Sequence, residues 1–260
     1  MASIAIETSS AYASVALMDG QEVIVENDFT DSLTVGGQLL TRLEELLASA
    51  GVDLGDVTGI AVSIGPGSYT GIRLGVTAAK TLAFARQLPL VGVESLRVLA
   101  AGVRQAGEAL PEAADSLTVS TVLDGRQSFL YGALFEVRKG ISPLPQSVRQ
   151  ILPQTVDDGA ALWHSWVRKL RSEASTRPML VIGNGADACL EYARSGESLD
   201  GVKCVRGAAT LDWPRARVVG QLASDALAEA RWDPEAVHRM EPLYLRATEA
   251  ERRAMEASEP

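Results

Sequence analysis

Two α/β halves, each built on a mixed sheet, are what the amino-acid sequence predicts, on three observations. Short β runs alternate with helical segments along most of the chain. A strand, a glycine turn and a helix follow one another twice, once around residues 60–85 and again from residue 179. An Asp-Gly hairpin turn comes early in each half, Asp19-Gly20 in the first and Asp124-Gly125 in the second. A chain of 260 residues is long enough for one large or two small domains with a well-buried core.

The first half opens on three strands, Ile4-Ala5-Ile6, Ser14 to Met18 and Glu22 to Val25, with Glu7-Thr8-Ser9-Ser10 between the first and second. Residues 33–50 follow as an amphipathic helix. Leu39, Leu40, Leu43, Leu46, Leu47 and Ala50 keep helical spacing, polar residues fill the other face, and Gly51 ends it. Ile60 to Ile64 is an apolar run bounded by Gly and Pro, and reads as a buried strand. Gly65-Pro66-Gly67 then turns the chain sharply, because Gly reaches φ > 0 and Pro fixes its own φ. Ser68 or Thr70 can cap the helix that continues to Arg86.

That turn has two physical uses. A glycine turn feeding a helix N-terminus aims unpaired N–H groups and the positive dipole end at one point, where an anion can sit. Along the helix, Gly71, Gly75, Ala79 and Ala83 recur every fourth residue, leaving a face nearly bare of side chains. Such a face admits another helix at close range or packs on the chain's own sheet; spacing supports both.

Pro89 to Val93 gives a further strand, and Ser95 caps a helix expected to run to about Gly107. Three strands, then helix, strand, helix, strand, helix, is the order of one half of an actin-like fold, also called ASKHA or ribonuclease H-like. The small, acidic stretch Gly107 to Ser116 marks a boundary, giving 1–107, 108–213 and 214–260 as the expected divisions.

The second half begins with the strand Leu117 to Leu123, turns at Asp124-Gly125 and returns with alternating apolar residues from Phe129 to Val137. Residues 139–178 offer only a helical patch around Ala160 to Leu170. Met179 to Ile182 and Gly183-Asn184-Gly185-Ala186 form the second strand–glycine turn–helix, a weaker phosphate-cradle signal because short Gly-x-Gly turns are common. Arg217 to Arg231 is apolar at helical spacing and is expected to pack back on the first half. Pro242-Leu243-Tyr244-Leu245-Arg246 near the end either docks on a partner or folds onto its own domain, and the charged run after it is expected to fray.

Composition narrows the function. The net charge is −9 with no basic stripe, so direct hold on nucleic-acid phosphates is not expected. Cys189 and Cys204 have neither disulfide-framework nor metal spacing and read as reduced thiols. Nothing approaches the roughly 18 apolar residues of a membrane span, so no membrane partner and a cytoplasmic setting are expected. His164 and His238 are the only histidines, too far apart in sequence to read as a metal pair. There is no Gly-x-Ser-x-Gly elbow, His-Glu-x-x-His or Walker loop. No catalytic residue and no metal site are therefore assigned.

Gly65-Pro66-Gly67-Ser68-Tyr69-Thr70-Gly71-Ile72-Arg73-Leu74-Gly75 resembles the signature of the TsaB (YeaZ) family, a bacterial subunit needed to make threonylcarbamoyladenosine in tRNA. Ile4 to Ser9, Pro89 to Val93, Asp124 with Arg126, and Glu241 to Arg246 resemble the same family in the same order, densely up to Ser95 and again from Pro214.

The resemblance implies a non-catalytic partner of the related enzyme TsaD, with the ATPase TsaE joining the assembly and tRNA reached only through the complex. It implies a homodimer when the chain is alone, no tightly bound cofactor, and ATP or ADP as a candidate ligand at the partner interface. The interface would lie on the helices at 33–50 and 68–86, through Leu39, Leu40, Leu43, Leu47, Ser68, Tyr69, Gly71, Ile72, Gly75, Val76, Ala79 and Leu82. Candidate nucleotide or anion contacts are Thr8, Ser9, Gly65, Gly67, Ser68 and Arg73.

Two departures bear on chemistry. TsaD resemblance would place a His-x-x-x-His metal pair on the first helix, and this chain has no histidine before His164. Glu7 stands where the actin-like pattern usually has Asp, which displaces the carboxylate by a methylene. The alternative is a small-molecule kinase or ATPase of the same fold, with phosphate held by Thr8-Ser9, Gly65 to Ser68 and Gly183 to Gly185.

Overall fold

The computed structural model describes residues 2–29, 35–104, 115–173, 178–195 and 204–246. The first lobe carries β1 (Ala2–Glu7), β2 (Ala13–Asp19), β3 (Glu22–Phe29), α1 (Val35–Ala50), β4 (Val57–Gly65), α2 (Tyr69–Arg86), β5 (Leu90–Glu94) and α3 (Ser95–Gly102). The second carries β6 (Ser116–Asp124), β7 (Leu130–Arg138), α4 (Leu144–Ser147), β8 (Val148–Asp157), α5 (Gly159–Ser172), β9 (Met179–Ile182), α6 (Ala186–Ser195) and β10 (Cys204–Arg206). Two further helices follow, α7 (Ala216–Glu229) and α8 (Pro234–Arg239).

The two sheets have one topology. The first runs β3-β2-β1-β4-β5 and the second, read from its other edge, β8-β7-β6-β9-β10. In each, the opening strand pairs antiparallel with its hairpin partner and parallel with the strand before the glycine turn. Ile4 faces Leu17 on one side and Ile60 on the other, and Val119 faces Phe135 and Leu180. This is the duplicated actin-like arrangement.

The alternation of β1 decides the layers. Ile4 and Ile6 join a core with Leu39, Leu43, Leu46, Leu47, Ile72 and Val76 of α1 and α2. Ala5, from the opposite face of β1, joins a core with α3, α7 and β6. The helices α3 and α7 thus form a middle layer under both sheets, while α5 and α6 cover the far face of the second sheet around Trp163 and Trp166. Helix α7 is held to the first lobe by Ala216 N–H donating to Ser14 Oγ at 2.8 Å and Arg217 Nη1 donating to Glu26 Oε2 at 2.7 Å.

Several boundaries differ from the sequence expectation. Helix α3 ends at Gly102, not near Gly107, and the boundary stretch 107–114 lies outside the described residues, as does the charged run from residue 247. Residues 139–173 hold a third strand, β8, as well as α5. β8 runs along the sheet edge through two register irregularities with β7, and polar residues occupy so much of Arg149 to Asp157 that no apolar alternation betrays it.

Candidate functional site

Loop 65–68 gets its shape from two close approaches. Gly67, at φ +155°, lies so near Ser9 that a Cβ would stand 2.1 Å from the Ser9 carbonyl oxygen. Ser68 N–H donates to that same oxygen at 2.7 Å. Ser68 is the N-cap of α2, its Oγ accepting from Gly71 N–H at 3.3 Å. The second lobe repeats the device, with Gly183 packed against the Val122 carbonyl and Gly185 N–H donating to it at 3.1 Å.

Between the two glycine turns lies a cleft of about 370 Å³. Ser9, Ser10, Gly67, Ser68, Tyr69 and Thr70 line it on one side. Asp124, Gly125, Arg126, Tyr131 and Asn184 line the other, and Trp213, 4.8 Å from the Tyr12 ring, lies at its edge. Asp124 is positioned from both of its ends: its N–H donates to Asn184 Oδ1 at 3.0 Å, and its Oδ1 accepts from Arg126 N–H at 2.8 Å. The cleft therefore joins a helix N-terminus, hydroxyls and Arg126 with one carboxylate, a polar cavity that suits a small anionic or hydrogen-bonding molecule.

Of the candidate anion contacts, Ser9, Gly67 and Ser68 line this cleft. Thr8, Gly65 and Arg73 do not. Thr8 is buried, with Oγ1 donating to the Gly71 carbonyl at 2.8 Å. A Cβ on Gly65 would meet Ile72 and the Leu243 carbonyl, each at 2.9 Å. Arg73 reaches along α2 to the Tyr69 hydroxyl at 2.8 Å.

Glu7 is turned away as well. It is fully buried, and its Oε1 accepts from Ser9 N–H. Burial pushes its carboxyl above the ordinary 4.5, against a weaker opposing pull from Ser9 and Ser63. A carboxyl buried in its own turn, where burial disfavours its charged form, is poorly suited to hold a cation against phosphate. Among the described residues, no group of three or more His, Cys, Asp and Glu side chains converges. Burial raises the Cys189 thiol to about 12 and the Cys204 thiol to about 11, so neither is a ready nucleophile at neutral pH.

The candidate partner face divides sharply. Leu39, Leu43, Leu47, Ile72, Gly75, Val76 and Ala79 are buried in this chain's own first lobe. The small-residue stripe on α2 faces β1: a Cβ on Gly71 would stand 2.0 Å from the Thr8 carbonyl oxygen, and the Cβ of a residue at Gly75 would lie 3.6 Å from Ile6 Cγ2. The physical reason is the duplicated sheet, which needs α2 close against it. Leu40 and Tyr69 are exposed, while Ser68, Gly71 and Leu82 are half-buried.

Tyr131 and Trp213 line the cleft without a sequence signal, whereas Asn184 lies inside the Gly183–Gly185 turn that the sequence marked.

Comparison with known proteins identifies the family. The chain is 30% identical over 257 residues to the tRNA threonylcarbamoyladenosine biosynthesis protein TsaB of Bacillus subtilis, covering 99% of both chains. The chain belongs to the TsaB family. It is also 26% identical to the Escherichia coli protein of that name, over 94% of each. A family model described as TsaD, tRNA N6-adenosine threonylcarbamoyltransferase, matches residues 37–254. The kinship with a transferase of that name from Halalkalibacterium halodurans is partial, 33% identity over 144 residues and 41% of that protein. The structure of YeaZ from Pseudomonas aeruginosa superposes with a TM-score of 0.72 at 24% identity, covering 94% of this chain and 99% of that one. This TsaB-family chain thus has the YeaZ fold. Among its described residues no helix is long and apolar enough to cross a membrane.

Proposed function

We propose that this chain serves threonylcarbamoyladenosine formation in tRNA as a non-catalytic subunit that binds TsaD and holds it in a competent form. Threonylcarbamoyl transfer to the adenosine beside the anticodon of ANN-decoding tRNAs is then TsaD's reaction. The observation that carries the non-catalytic part is Glu7: the acidic residue of the first turn is buried and hydrogen-bonded to its own backbone rather than directed into the cleft. The end-to-end likeness to proteins named TsaB supports the pathway.

Docking in this reading uses the outward face of α1 and α2. Leu40 of α1 is 56% exposed, and Leu74, Ala78 and Leu82 of α2 are half-buried in the same lobe. The same face closes a homodimer when TsaD is absent. TsaE joins the complex, tRNA is held by the other subunits because this chain carries −9, and no cofactor is tightly bound. ATP or ADP enters where the partners meet, and the complex works in the cytoplasm.

Light-scattering chromatography of the chain, alone and mixed with TsaD of its own organism, together with ATP turnover by the isolated chain, tests this reading. A stable mixed complex and an inert isolated chain are expected. Steady ATP turnover by the chain alone, with no complex, would install the kinase alternative instead.

A further inference from the structure

Residues 240–246, the last of the described chain, touch residues of both walls of the cleft. Lys80 of α2 anchors their start, donating to the His238 and Met240 carbonyls at 2.7 and 2.9 Å. Leu243 N–H donates to the Ile64 carbonyl at the end of β4, at 2.7 Å. The Tyr244 ring lies 5.0 Å from that of Tyr69, which lines the cleft in the first lobe. Arg246 then crosses to the second lobe. Its guanidinium sits 4.2 Å from the centre of the Phe129 ring and donates to Gln127 Oε1 at 2.6 Å and to the Gly125 carbonyl at 3.5 Å.

The turn that Arg246 grips is unusual. Arg126, Gln127 and Ser128 are consecutive non-glycine residues with φ of 63°, 53° and 66°. Each pays for a crowded Cβ, and a run of three persists only where its surroundings hold it. Within the turn, Gly125 N–H donates to the Phe129 carbonyl at 2.8 Å, and Phe129 N–H to that of Arg126 at 3.1 Å. Gly125 and Arg126 of this turn line the cleft opposite Tyr69.

We propose that residues 240–246 are a clasp between the lobes, in which Arg246 holds the 124–130 turn in its left-handed form and so sets the opening of the cleft. The lobes share a core through α3 and α7, and the clasp joins them a second time through Tyr69 and the 124–130 turn, beside the cleft. Releasing Arg246 frees the turn from the first lobe and removes the load on Tyr244 and Leu243, so both walls loosen together. This inference concerns the chain alone and stands or falls independently of the partner reading.

Hydrogen exchange by mass spectrometry on the full chain tests it, with Arg246→Ala and with Phe129→Leu, which removes only the ring beneath the guanidinium at a surface position. In Arg246→Ala, amides in both 124–130 and 65–72 are expected to exchange about tenfold faster, while β1 and β6 keep their protection. Phe129→Leu is expected to move the same two segments in the same direction by a smaller factor. Acceleration confined to residues 240–246, or in the turn without the 65–72 loop, would overturn the clasp. Global loss of protection in Arg246→Ala would leave Phe129→Leu to decide by the same two segments.

Discussion

Thr8 and Gly71 are locked together across the first lobe: Thr8 Oγ1 donates to the Gly71 carbonyl at 2.8 Å, and a Cβ on Gly71 would stand 2.0 Å from the Thr8 carbonyl oxygen. The signature helix is thereby seated against β1 at its first turn. Its glycines serve this chain's own packing, which sets what their substitution can report.

Gly71→Ala is expected to destabilise the chain by about 3 kcal/mol, because the obstacle is backbone and cannot rotate aside. Thr8→Val, which keeps the shape and removes the donor, should cost about 1 kcal/mol. Urea denaturation of both checks the order. Equal stability of Gly71→Ala and wild type would contradict the seating. Gly75→Leu belongs to the same class: with Thr8 Oγ1 only 2.2 Å from the added Cβ, its loss of partner binding would reflect damage to the first lobe.

Glu7 should leave a pH signature. Burial raises its folded pKa above the 4.5 of the exposed group, so the folded chain binds this proton more tightly than the unfolded chain. Its contribution to stability is full below about 4.5 and is lost as pH rises towards the folded value. Glu7→Gln keeps an acceptor for Ser9 N–H and removes the titration. The stability of wild type relative to Glu7→Gln is therefore expected to fall as pH rises from about 4.5, read from urea midpoints across pH. A difference independent of pH, or one that rises, would show that burial does not raise the folded pKa of Glu7.

Much of the first lobe was legible because its signals are local. The Asp19-Gly20 turn, the leucine spacing of α1 and the glycine turn before α2 each depend on neighbours in sequence, and the structure has them in place. What failed was direction. Leu40 and Leu43 share one apolar periodicity, yet Leu43 is buried and Leu40 is exposed, since the width of an apolar stripe does not reveal where the sheet beneath it ends. The cleft was half legible for a related reason. Ser9, Gly67 and Ser68 come from turns with their own sequence marks, whereas Tyr131 and Trp213 reach it through the pairing of two lobes, which no local pattern encodes. β8 escaped because an edge strand has one side without a partner strand and tolerates polar residues on both faces.

Leu40→Glu separates docking from folding. The side chain projects outward from α1, so the substitution should change stability by no more than about 0.5 kcal/mol. In the partner reading it buries a charge at the contact and should weaken the complex with TsaD by about tenfold or more. Thermal melts and titration calorimetry on the same preparation give both numbers. Unchanged affinity would move the docking face off α1.

The most direct test is the rate of threonylcarbamoyl transfer to an ANN-decoding tRNA by TsaD of the same organism, measured alone, with the chain and with its Leu40→Glu variant. The account predicts that the chain raises the rate, that the gain saturates as the chain is titrated against TsaD, and that Leu40→Glu shifts saturation to higher concentration. A transfer rate indifferent to the chain at every concentration, with each protein folded, would contradict it.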